Sequence, residues 1–300
     1  MEERVIKIEG VSKTYSDSNK PALTNISLDI LAGERLGLIG SNGSGKTTLL
    51  RLLMNFIMPD KGKIFIRDEK NLEKAHRYLG FVAESQEGME NFTPRELFNS
   101  AARMHGMNSN RAKKRVHELI EFSGLIDVAD DLIAGFSKGM AQRTFISLAL
   151  VHNPHILLLD EPMSGLDHEA QNEVQDFLKG LMDKTMIYAS HNLEEIEVFT
   201  STVVFLHDGR IVHQLQLNDL TEEIYLVNLD SNIKPLLDQL KNLNPRIANE
   251  DSETIELKLT ATTRGFQDFL ENCKDRGITI HRIRSRSILE DAYHQYIGSP

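Results

Sequence analysis

The sequence predicts an α/β protein: a parallel sheet covered on both faces by helices, followed by a smaller α+β domain. Three observations carry that expectation. Short apolar runs, RLGLIG (Arg35–Gly40), ILLLD (Ile156–Asp160) and MIYAS (Met186–Ser190), read as strands buried on both faces. Helical stretches alternate with them, which implies parallel strands joined by crossovers. After about Asn218 the pattern restarts as two units offset by roughly thirty residues, an internal repeat of βαβ type.

The elements follow in order. VIKIEGVSKTY (Val5–Tyr15) and NISLDI (Asn25–Ile30) alternate apolar and polar residues, as half-buried antiparallel strands do. RLGLIG ends in glycine and leads into a helix from about Lys46 to Phe56, whose leucines give it an apolar side. Lys63–Arg67 and Tyr78–Ala83 are strands. From Thr93 to about Ala129 the texture turns helical. Thr93-Pro94-Arg95-Glu96 supplies an N-cap, a proline at the first helical position and a glutamate three residues after the cap. Further helices are expected over Ser109–Phe122, Ser137–Val151 and Glu169–Asp183, the last between ILLLD and MIYAS. VVFLHDGRIVHQ reads as a hairpin turning at Asp208-Gly209. In the last part IYLVNL, a helix over Lys234–Leu243 and a strand near Arg246–Asn249 make one unit. IELKL, a helix over Thr263–Lys274 and ITIHRI make the second, and Leu289–Ile297 forms a final helix. Arg282, Arg284 and Arg286 alternate along a strand and read as a solvated face.

Composition excludes several classes. The 300 residues carry 34 Lys and Arg against 44 Asp and Glu, a formal charge of -10, which speaks against a general nucleic-acid binder. The single cysteine, Cys273, rules out an internal disulfide and a cysteine-rich zinc site and fits a reducing compartment. The first ten residues have no apolar core for a signal peptide, and the longest apolar runs fall far short of the ~20 residues of a membrane helix. Any membrane role is therefore expected through a partner.

The chemistry concentrates in a few short segments. Gly40-Ser41-Asn42-Gly43-Ser44-Gly45-Lys46-Thr47 fits G-x-x-x-x-G-K-[ST] between a buried strand and a helix. Glycines let the backbone wrap phosphates while loop amides and the helix N-terminus face the anion. Lys46 suits the β- and γ-phosphates and Thr47 suits Mg²⁺. Asp160 and Glu161 end a buried strand: Asp160 suits the shell of Mg²⁺, and Glu161 suits a general base polarising water.

Phe136-Ser137-Lys138-Gly139-Met140-Ala141-Gln142-Arg143, standing between these two motifs, resembles a divergent form of the signature of the ATP-binding cassette (ABC) family, the ATPase subunits of ABC transporters. That signature reads Leu-Ser-Gly-Gly-Gln; Ser137 and Gly139 are retained, and Phe136, Lys138 and Met140 depart from it. The resemblance covers about residues 4–215. It implies a P-loop NTPase cassette with a parallel core sheet, an antiparallel β subdomain and a helical subdomain, with ATP and Mg²⁺ as ligands. In domain terms, 1–217 is the ATP-binding domain, its helical subdomain at about 86–152. Residues 218–300 are the small α+β domain, expected to be ferredoxin-like.

The same resemblance assigns roles. Gly40 to Thr48 bind the phosphates. Tyr15 stands where an aromatic stacks on adenine. Ser137 and Gly139 cap the γ-phosphate held by another subunit. Asp167, in Ser164-Gly165-Leu166-Asp167, belongs to a segment that crosses the dimer interface, and His191 matches the switch histidine that orients the nucleophilic water. The family's glutamine loop here holds Glu84 by register, a possible Mg²⁺ ligand, with Gln86 two residues later as the alternative. The divergent signature, Glu84 and the trailing domain, with Ser287-Ile288-Leu289-Glu290-Asp291-Ala292-Tyr293, resemble the bacterial drug, lantibiotic and bacitracin exporter type.

The expected function is an energising subunit. Two copies, or this chain and a second ABC ATPase, close around two ATP molecules and drive a separate integral-membrane permease from the cytoplasmic face. The alternative is a soluble ABC-type ATPase acting on ribosomes or DNA. Against it stand a single phosphate loop, only about ninety residues between loop and signature with no sustained heptads, and the negative charge. A nucleotide-binding module without turnover does not need Asp160, Glu161 and His191 together.

Overall fold

The computed structural model describes residues 3–217, 222–231, 233, 237, 240, 243–250 and 254–298. The chain divides into two compact units, Met1–Leu215 and Gln216–Pro300.

In the first unit, β1 (Arg4–Lys13), β2 (Leu23–Leu31) and β4 (Lys61–Ile66) form an antiparallel sheet in the order β2-β1-β4. The core sheet joins β3 (Arg35–Ile39), β5 (Leu79–Val82), β6 (Ile156–Asp160), β7 (Thr185–Ser190), β8 (Thr202–His207) and β9 (Arg210–Gln216) in the order β5-β6-β7-β3-β8-β9. Pairings from β5 through β8 are parallel. Every residue of β6 and β7 is buried, which is why those strands read as unbroken apolar runs. The β8–β9 turn has Asp208 at φ 47° and Gly209 at φ 70°, the doubly left-handed pair of a type I′ hairpin.

α1 (Lys46–Leu53) lays Leu49, Leu50, Leu52 and Leu53 against both sheets in one core with Ile6, Ile8, Leu36, Leu38 and Leu158. It stops three residues before the predicted end because the chain turns at Asn55, with φ 53°. A one-turn helix, α2 (Leu72–Ala75), was not signalled by any periodicity.

The helical segment comprises α3 (Pro94–Met104), α4 (Ser109–Phe122) and α5 (Lys138–Ala149). α3 starts at the predicted capping box: Glu96 N donates to Thr93 Oγ1 at 3.2 Å, and Thr93 N donates to Glu96 Oε2 at 2.9 Å. Phe98 is fully buried, whereas Phe92 is exposed. α6 (His168–Lys179) lies between β6 and β7 in the chain, and α7 (Leu193–Phe199) follows β7.

The second unit holds β10 (Glu223–Asp230), β11 (Arg246–Glu250), β12 (Thr254–Ala261) and β13 (Ile280–Arg286), all paired antiparallel in the order β11-β12-β10-β13. α8 (Thr263–Asp275) and α9 (Ile288–Tyr296) accompany them. Alternate residues of β10 and β12 build a core with Phe266, Phe269 and Cys273 from α8. Tyr225 stacks on Phe266, centroids 3.6 Å apart. The helix expected over Lys234–Leu243 lies mostly outside the described residues. The exposed Arg282 and Arg284 sit on β13, as a solvated face requires.

Candidate functional site

The phosphate-loop segment runs from the buried end of β3 into α1. Gly40 must be glycine: a Cβ there would lie 2.3 Å from the Leu206 carbonyl oxygen and 2.4 Å from Ser44 Oγ. Gly43 and Gly45 take φ 78° and 110°, open to glycine without strain. Gly45 caps α1 without a side-chain bond, so the first amides of the helix are left for a ligand.

Lys46 is buried and folds back: its Nζ donates to the Gly40 carbonyl at 2.7 Å and lies 3.3 Å from Glu161 Oε1. Thr48 Oγ1 is 3.3 Å from the Tyr15 hydroxyl, which ties the aromatic to the start of α1. Ser41, Asn42, Gly43, Ser44, Gly45, Lys46, Thr47 and Thr48 line one cavity of about 320 Å³ with Ala22, Glu84, Glu161, Ser164 and His191.

β6 delivers the carboxylates. Asp160 is 1% exposed; burial raises its pKa, the Thr47 hydroxyl hydrogen-bonds it and lowers it, and the nearby Glu161 and Glu84 charges raise it again. Its Oδ1 is buried without a partner. Glu161 holds φ 48°, in the left-handed region, and its amide donates to the Ala189 carbonyl at 2.9 Å, which anchors it to β7. Glu161 Oε2 accepts from the His191 amide at 3.4 Å and faces His191 Nδ1 at 2.9 Å and Ser190 Oγ at 3.2 Å. Its other oxygen, Oε1, makes no hydrogen bond. The His191 side chain is 55% exposed.

A second buried carboxyl stands behind this pair. Glu195, on the first turn of α7, is 8% exposed, and its Oε2 lies 2.9 Å from the Tyr188 hydroxyl and 3.0 Å from Ser190 Oγ. Burial pushes its pKa up; the Tyr188 and Ser190 bonds pull down and the Glu161 charge pushes up again. No sequence pattern singled out Ser190 or Glu195.

The signature residues lie elsewhere. Ser137 caps α5, accepting from Met140 N at 3.2 Å, and Gly139 is buried where a Cβ would come 2.8 Å from Glu173 Oε2 on α6. Lys138, a departure from the signature, donates to the Gly165 carbonyl at 2.7 Å. Asp167 caps α6 through Ala170 N at 2.9 Å. None of Ser137, Gly139 and Asp167 lines the cavity. Gln86 donates to its own loop's Ala83 carbonyl at 3.0 Å, while Glu84 lines the cavity.

The donors fit a small divalent cation beside a polyphosphate. Lys46, Glu84 and Glu161 line the cavity and their charges act on the buried Asp160 beside it, and the unpartnered Asp160 Oδ1 with the Thr47 hydroxyl makes a hard oxygen set of the kind Mg²⁺ takes. Among the described residues no three His, Cys, Asp or Glu side chains form a closed metal cage. Mg²⁺ held mainly by phosphate and water needs none.

Residues 23–164 match the family described as ABC transporter. The ABC transporter ATP-binding protein NatA of Bacillus subtilis (strain 168) is 31% identical over 73% of this chain and 92% of its own length. Nod factor export ATP-binding protein I of Bradyrhizobium sp. (strain SNU001) is 32% identical over 81% of this chain and 80% of its own. A solved dimeric post-hydrolysis state of an ATP-binding cassette, bound to ADP and Pi, is similar at TM-score 0.65 and 27% identity, covering 72% of this chain and 100% of that one. Family match, shared length and shared fold converge: the chain belongs to the ABC transporter family as an ATP-binding subunit, and it is an ATPase.

Proposed function

We propose that this ATPase works as one half of a pair that closes around two ATP molecules and drives a separate integral-membrane permease, as an exporter. The observation that carries the reading is the separation within one chain. Ser137 and Gly139 do not line the cavity of Lys46, Glu161 and His191, which supports a second chain, identical or related, bringing its own signature to the γ-phosphate. The exporter direction draws on the Nod factor export relative. No described helix is long and apolar enough to cross a membrane, so the permease carries that part and holds this chain at the cytoplasmic face. Nucleic acid is not a partner on this reading, given the charge of -10.

In this reading residues 1–217 are the ATP-binding domain with its helical subdomain at about 86–152. Residues 218–300 are a ferredoxin-like module, supported by the strand order β11-β12-β10-β13. Gly40 to Thr48 hold the phosphates, Lys46 leaving the Gly40 carbonyl for the β- and γ-phosphates. Tyr15 stacks on the adenine, and Asp167 sits at the interface between subunits. Thr47, Asp160 and Glu84 would hold Mg²⁺, which would supply positive charge against the β- and γ-phosphates. Glu161 takes the proton of the attacking water. His191, bonded to Glu161 through Nδ1, orients that water.

The permease docks beside the Glu84 loop and the start of α3, where Phe92 is exposed. Single cysteines placed along Glu84–Phe92 in the assembled transporter are expected to crosslink to cytoplasmic loops of the permease. Crosslinks confined to residues 218–300 would refute this docking.

A further inference from the structure

We propose that Glu195 is a positioning residue for the Glu161–His191 pair: a neutral carboxyl that, through the Ser190 hydroxyl, fixes which oxygen of Glu161 is left to act. The inference rests on the reading of Glu161 as the base.

Hydrogen counting carries it. Glu195 Oε2, Ser190 Oγ and Glu161 Oε2 stand in a row, 3.0 Å and 3.2 Å apart. Each contact needs one hydrogen, and the serine hydroxyl owns one. The Asn192 amide donates to Ser190 Oγ at 3.0 Å and serves neither contact. The second hydrogen therefore sits on a carboxyl. Glu161 has the Lys46 ammonium 3.3 Å from Oε1 and the His191 ring at Oε2, partners suited to a carboxylate. Glu195 is buried, pairs with no lysine or arginine among the described residues, and has the charges of Glu161 and His191 for neighbours. The first turn of α7 favours a charged acid there only weakly, and removal from water opposes it.

The hydrogen thus belongs to Glu195 Oε2, which donates to Ser190 Oγ and accepts from the Tyr188 hydroxyl at 2.9 Å. Ser190 then has both lone pairs and its one hydrogen in use, the last aimed at Glu161 Oε2. With Oε2 held by Ser190 and His191, Oε1, which makes no hydrogen bond and faces the Lys46 ammonium at 3.3 Å, is the oxygen left to take a proton once Lys46 turns to the phosphates.

The test uses the full chain, with phosphate release at saturating Mg-ATP and ATP affinity by calorimetry. Ser190→Ala is expected to lower kcat about tenfold, as loss of one bond to a charged group does, and Glu195→Ala to lower it in the same direction by releasing Ser190, both with ATP affinity unchanged. Glu195→Gln is expected to restore the turnover that alanine removes, because an amide NH₂ donates to Ser190 Oγ as the neutral carboxyl does. If Glu195→Ala does not fold, Ser190→Ala and Glu195→Gln decide. Parental kcat in Ser190→Ala, or a Glu195→Gln protein as slow as Ser190→Ala, overturns the proposal. Glu161→Gln is assayed alongside: parental turnover there removes the base reading itself, whereas an inactive Glu161→Gln beside a fully active Ser190→Ala removes only the role of Glu195.

Discussion

Glu161→Gln is expected to lower ATP hydrolysis by at least the ~10²–10⁴ that general-base catalysis contributes, while ATP binding survives. The amide keeps the size of the side chain. Its oxygen can still accept from His191 and Ser190 where Glu161 Oε2 does now, so the left-handed backbone at φ 48° and the end of β6 stay in place. The carboxylate charge and the capacity to take up a proton are lost. Thr47 and the loop amides are untouched, and Lys46 loses the Glu161 charge 3.3 Å away but keeps its ammonium, so ATP binding is retained. Phosphate release measures the first effect and calorimetry the second. Hydrolysis at the parental rate would move the base elsewhere in the cavity, with Glu84 the next carboxylate lining it.

Lys46→Ala is expected to weaken ATP binding by one to two orders of magnitude, since a hydrogen bond to a charged group is worth about 1.5–3 kcal/mol. Electrostatics pushes in the same direction. Lys46 is the lysine among the cavity-lining residues, and without it Glu84, Asp160 and Glu161 confront the phosphates with no ammonium between them. Burial makes the loss larger than at a surface site, because the cavity wall screens charge poorly. Calorimetric titration with ATP is the check, and an unchanged affinity would remove the phosphate-loop assignment.

What was legible in the sequence was local. The G-x-x-x-x-G-K-[ST] run is legible because it is contiguous, and its first glycine has a steric reason: no Cβ fits at Gly40 under the Leu206 carbonyl. The capping box at Thr93 is equally local, four residues that satisfy each other. β6 and β7 are legible because burial on both faces leaves no polar position in them until their ends.

What was not legible depends on residues brought together by the sheet. Ser190 and Glu161 meet across 29 positions because β6 and β7 are neighbours, and nothing in MIYAS marks its last residue as more than a strand end. Glu195 sits on a short helix among several acids, and only its burial separates it from Glu194. In the second unit the thirty-residue repeat was visible, but the interleaved strand order follows from which strands pair.

The central claim is that each ATP is held by the loop of one chain and the signature of another. The direct measurement is molar mass by light scattering of the Glu161→Gln protein with ATP and without Mg²⁺, compared with the same protein also carrying Ser137→Asp. Aspartate keeps the cap on α5, so the fold and the chain's own phosphate loop are preserved, but it sets a negative charge against the partner's γ-phosphate. The account predicts that ATP shifts Glu161→Gln from 34.0 kDa to twice that mass and leaves the double variant at 34.0 kDa with ATP still bound. A Glu161→Gln protein saturated with ATP that stays at 34.0 kDa, or a double variant that dimerises equally well, would contradict it.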